Sequence, residues 1–155
     1  MLSSGVLAGV AGGLAEVAWV TFYAGVTGAD AAVLARGVTA AAGVNTLLPA
    51  SPAALGVAVH MTLAAMLGVA LSYAWSTLRA FRPNLSNAYP FILAALGGVW
   101  ATNFLIVLPI VSPAFVHLVP SAVSLTSKLL FGIAAAEIFR WQAAAELRAV
   151  RLMRN

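Results

Sequence analysis

The fold that the sequence predicts is an all-α membrane protein, a four-transmembrane-helix bundle with both termini in the cytoplasm. Three observations carry it. Hydrophobic residues make up 63% of the chain and charged residues 8%, against about 45–50% and about 25% in soluble domains. Four apolar stretches are each long enough to cross a hydrocarbon core ~30 Å thick at ~1.5 Å per residue. The arginines gather on one side of the topology those stretches imply. A mean hydropathy of +1.01 describes a surface that lipid or other membrane proteins must solvate. The ~10-residue alternation of a β-barrel strand is absent.

The elements follow in order. The start, Met1-Leu2-Ser3-Ser4, lacks a positive n-region, so a cleavable signal peptide is not expected. The first span covers 5–27 and carries one charge, Glu16. Gly5, Gly9 and Gly13 form a small-residue stripe along it, and such a stripe lets another helix backbone approach, within the bundle or on a neighbouring subunit. Asp30 is placed to cap a short helix over 31–42, with Arg36 and Thr39 as its polar residues. That helix is expected to be interfacial or re-entrant. The stretch 45–52, with two prolines, leads into a second span over 53–78 containing His60. Arg79, Arg82 and Pro83 mark a short link. The third span, 88–111, carries no charge, and His117 sits in the proline-rich link after it. The fourth span, 121–139, contains Lys128 and Glu137. Glu137 and Arg140 stand at i, i+3 spacing and read as an interfacial pair. The tail over 140–155 continues as a helix near the headgroups. The whole chain is one membrane domain.

Arg79, Arg82, Arg140, Arg148, Arg151 and Arg154 fall on the side of the termini, and Arg36 alone falls opposite. The positive-inside rule therefore puts both termini in the cytoplasm. Trp75 and Trp141 fall near that interface. The net charge of +4 sits at helix ends, so a nucleic-acid partner is not expected. The chain has no cysteine, which excludes disulfides and thiolate metal sites. An internal repeat is open. Ala58-Val59-His60-Met61-Thr62 followed by Gly68 parallels Ala122-Val123-Ser124-Leu125-Thr126 followed by Gly132. Gly12-Gly13 before Glu16 parallels Gly97-Gly98 before Asn103. Two parallel hairpins would produce these matches, and so would chance in a chain rich in Ala, Gly and Val.

Counting along the helices places Glu16 ~16 Å, His60 ~20 Å, Lys128 ~20 Å and Asn103 ~22 Å from the cytoplasmic ends of their spans. Each helix thus offers one strongly polar side chain to one layer, with Thr62, Thr126 and Ser127 close by. A charge at mid-membrane costs about 2.5–3.5 kcal/mol on insertion scales. The four are therefore expected to face inward and meet, with a Glu16–Lys128 pair and His60 and Asn103 hydrogen-bonded around it. Lys128 could instead snorkel outward. The cluster reads either as a fixture that sets helix pairing or as an ion, proton or ligand site. His60 and His117 are an outside possibility for a metal, and two ligands are too few for one. Haem b is not expected either, because His60 lies in the bilayer and His117 in a loop. No phosphate-binding glycine loop, nucleophile elbow or HExxH pair is present, so catalysis is not predicted.

Gly56, His60, Gly68 and Tyr73, the basic link with Pro83, Pro109 with Ser112-Pro113, and the closing Glu137-Ile138-Phe139-Arg140 together resemble the YagU-like family of small bacterial inner-membrane proteins. The resemblance runs from about Gly56 to Arg140 and implies a helical bundle in the bacterial inner membrane. Members often carry a further histidine in the last span, where this chain has Lys128, so no histidine-based role carries over. The expected function is a non-catalytic accessory or structural subunit of a bacterial inner-membrane complex, partnered by lipid and by other membrane subunits or itself. The alternative is a small transporter or a proton- or ion-conducting bundle that uses the polar layer.

Overall fold

In the computed structural model, which describes residues 2–44, 46–47 and 50–153, every regular element is helical. Helix α1 spans Leu2–Thr27, α2 Ala31–Ala41 and α3 Pro52–Phe81. Helix α4 spans Tyr89–Thr102 and passes through a π-helical turn, Asn103–Val107, into α5, Leu108–Val111. The short α6 is Pro113–Leu118, and α7 is Ser121–Met153. Among the described residues four helices are long and apolar enough to cross a membrane: Leu2–Thr27, Pro52–Phe81, Tyr89–Val111 and Ser121–Met153. The chain is a multi-pass membrane protein. Asn45 and Pro49 of the 45–52 stretch lie outside the described residues, as do Arg154 and the side chain of Leu147.

Local chemistry sets the boundaries. Asp30 caps α2, accepting the Ala32 N–H at 2.8 Å. Gly43 closes that helix at φ +68°, with Val44 N–H bonding Thr39 O and Gly43 N–H bonding Ala40 O. This is the paired C-terminal bonding that a left-handed residue allows. Proline stands in the first turn of α3 and α4, where its missing N–H removes no helix bond. The π-turn precedes Pro109. Leu108 N–H reaches back to Asn103 O, the wider loop a helix adopts where proline cannot donate to the carbonyl four residues earlier.

Helix α1 lies between α3 and α7 and runs antiparallel to both; α4 packs on α7, and α2 on α3. Apolar burial drives little helix pairing within lipid, so close backbone approach must supply it. The glycine stripe does so inside the chain. A Cβ on Gly9 would stand 2.3 Å from Ala64 O, and one on Gly68 2.3 Å from Gly5 O. Gly56 admits Ala35 of α2 in the same way, at 2.0 Å from its carbonyl oxygen. On the other side, Ile92, Leu96 and Phe131 are fully buried where α4 meets α7. Trp75 is buried and lies 5.7 Å from Phe91. Trp141 is exposed.

The repeat gains one structural correlate. Gly68 of α3 packs on α1, and its counterpart Gly132 of α7 packs on Leu93 and Leu96 of α4. Each long helix thus sets its glycine against the first helix of its own half. The other match fails. Gly12 and Gly13 are packed, whereas a Cβ on Gly97 or Gly98 would meet nothing within 4 Å.

Candidate functional site

The site begins with two adjacent glycines. A Cβ on Gly12 would press into the Phe131 ring of α7 at 2.6 Å, and one on Gly13 would meet Ala64 of α3 at 2.8 Å. Glu16 is four residues beyond the first and three beyond the second, so on a helix it stands above both. It therefore points into the seam between α3 and α7. Its relative exposure is 2%.

Both neighbouring helices answer it. From α7, Lys128 Nζ donates to Glu16 Oε1 at 2.6 Å, and Ser127 Oγ donates to the same oxygen at 3.1 Å. The Lys128 ammonium lies 5.8 Å from the centre of the Phe131 ring, within reach of its π face. From α3, His60 Nε2 stands 3.4 Å from Glu16 Oε2. Among the described residues neither of those last two atoms has a hydrogen-bond partner, although both are shielded. One turn further along α1, Trp19 Nε1 donates to the Val123 carbonyl of α7 at 3.1 Å. The indole pins α1 to α7 beside the carboxylate.

Three of the four residues expected in the layer thus meet: Glu16, His60 and Lys128. Lys128 turns inward instead of snorkelling. Asn103 does not join them. It is exposed at the head of the π-turn. Counting along a helix fixes depth but not face. Ile92, Leu96 and Phe104 are buried and repeat at multiples of four; Asn103 falls beside that stripe, on the outward face with Gly98, Val99 and Thr102. Thr62 and Thr126 bond the carbonyls of Ala58 and Ala122 within their own helices. His117 is exposed on α6, while His60 faces Glu16. Among the described residues no three His, Cys, Asp or Glu side chains are grouped as metal ligands would be.

A second polar contact ties the start of α4 to α7. Arg140 donates to Glu137 Oε2 through Nε at 3.0 Å and Nη2 at 2.6 Å. The Tyr89 hydroxyl donates to Glu137 Oε1. The arginine was legible from its i, i+3 spacing. The tyrosine was legible only from depth, since Tyr89 opens one span at the same end where Glu137 closes another. Trp19 had no such signal, because its acceptor is a backbone carbonyl.

No protein-family model matches the chain, and no curated protein or solved structure matches it.

Proposed function

We propose that the chain is a non-catalytic membrane subunit, an accessory or structural part of a bacterial inner-membrane complex. The observation that carries this is Asn103. Its amide is exposed on the outward face of an apolar helix, on one surface with Gly98, over which there is open space. An amide facing hydrocarbon is unfavourable, and membrane helices satisfy such groups across helix–helix contacts with small residues alongside. A transmembrane helix of another subunit would cover this face. The arginine distribution supports both termini in the cytoplasm. Helix α2, packed on α3 and bearing an exposed Asp30–Arg36 pair, fits an interfacial or re-entrant position. The resemblance to the YagU-like family belongs to this proposal.

Purification in mild detergent from the native membrane, with native-gel sizing and mass spectrometry, tests it. Stoichiometric foreign subunits are expected, and Asn103→Leu should release them while the chain stays folded. Recovery of the chain as a lone monomer or homo-oligomer would overturn the reading.

The Glu16 centre supports a second reading, a small proton- or ion-conducting protein. Proteoliposome flux that Glu16→Gln abolishes would establish it, and no flux above empty vesicles would remove it.

A further inference from the structure

We infer that the facing pair Glu16 Oε2 and His60 Nε2 is a binding site for one proton, whichever of the two readings above holds. The two oxygens of Glu16 are used unequally. Oε1 accepts from Lys128 and Ser127. Oε2 accepts from nothing and faces His60 Nε2 at 3.4 Å. A purely structural clasp would leave no such pair, because an unmade hydrogen bond at a shielded polar atom is costly.

The imidazole nitrogen that faces Oε2 is itself shielded, at 26% side-chain exposure for His60. A neutral imidazole carries one N–H, and an imidazolium carries two. An imidazolium donates from Nε2 whichever tautomer precedes it, so a proton taken up by the ring is held against Oε2. The proton comes from water, bonds the free ring nitrogen lone pair and leaves the same way, with no other bond made or broken. The Glu16–Lys128 pair is neutral as a unit, so uptake takes the centre from no net charge to one positive charge. Oε2 is the group placed to offset that charge.

Among the described residues, three helices bring charged or titratable groups to the site. Helix α1 gives Glu16, α3 gives His60 and α7 gives Lys128. On α2, Asp30 and Arg36 engage each other at 3.4 Å. On α4, Tyr89 bonds Glu137 at the far end. His60 is the more exposed partner, its side chain 26% exposed against 3% for Glu16.

The chain has two histidines, which makes the experiment direct. Histidine-15N and glutamate-13C NMR of the full chain in nanodiscs would be followed over about pH 4 to 9, the range around the ordinary histidine titration. The His60 ring nitrogens should pass from the neutral to the imidazolium pattern, and the Glu16 carboxyl carbon should move with the same midpoint. Glu16→Gln should lower that midpoint by about one pH unit or more, a tenfold loss of proton affinity. Lys128→Met, which removes the competing cation, should raise it, and it serves as the second variant if Glu16→Gln does not fold. A His60 that keeps its neutral pattern across the whole range would overturn the site. A midpoint unmoved in a folded variant would do the same.

Discussion

At Gly9 the nearest atom of the neighbouring helix is a backbone oxygen, which cannot swing aside. Gly9→Ala should therefore force α1 from α3 and destabilise the protein by about 1–3 kcal/mol, as overpacking does. Gly25→Ala, where an added Cβ meets nothing within 4 Å, should be neutral. Equilibrium unfolding in detergent distinguishes the two, and equal effects would refute the close-approach account. Lys128→Met should cost more, about 3–5 kcal/mol, because it leaves Glu16 buried without its cation. Adding Glu16→Leu to that variant should recover most of the loss. A double variant as unstable as the single would mean the pair is not the source. Much of this scale was legible in the sequence. Three intramembrane ionisable residues had to meet, since each alone is too unfavourable in lipid. Which oxygen each partner takes was not legible, because that depends on side-chain geometry across helices far apart in the chain. Trp19 was hidden for a related reason: any backbone carbonyl could have served it.

The elements were read well where a local signal existed. Asp30 and Gly43 bracket α2, and the apolar runs give α1, α3 and the third apolar helix, Tyr89–Val111. The π-turn was missed, although Pro109 was in view. Proline announces that one backbone bond is lost, but not how the helix absorbs the loss. Asn103 was misplaced because depth carries no azimuth. With an alanine in place of Pro109 the ordinary bond to residue 105 becomes available, and the π-turn should revert to α-helix. Its extra residue would then rotate one flank against the other by about 100°. Backbone carbon shifts of 103–107 would show the change, and shifts identical to the wild type would separate the π-turn from the proline. At the other end of the same helix, Tyr89→Phe removes the hydroxyl that Glu137 accepts. Amide exchange over 89–92 should rise, while exchange at Gly12 and Gly13 should not. No change at either place would show that the hydroxyl does not hold α4.

For the whole molecule, the spans and their order were legible from hydropathy and arginine placement, but the packing was not. Nothing in composition says that α1 is the middle helix or that α4 touches mainly α7. Those facts come from where small residues fall on each face. The proposed topology has a direct test, since the chain has no cysteine and each introduced one is therefore unique. Cysteines at Ser3 and Ser86 should label from the cytoplasmic side and one at Thr46 from the opposite side, using a membrane-impermeant maleimide. Labelling of Ser3 and Thr46 from one side would overturn the arrangement.

Helix α7 is one uninterrupted rod of 33 residues, with no proline and no glycine after Gly132. At ~1.5 Å per residue it is ~50 Å long, so ~20 Å of it stands clear of a ~30 Å core. A rod without a joint behaves as a mast stepped at the Lys128 level. A tilt of ~5° at that level would sweep its tip through ~3 Å, on the geometry of a straight helix. Whatever strengthens or slackens the grip of Glu16 on Lys128 is thereby magnified at the arginine-bearing tip. Spin labels at Gln142 and Arg151 should move together as one body between wild type and Lys128→Met.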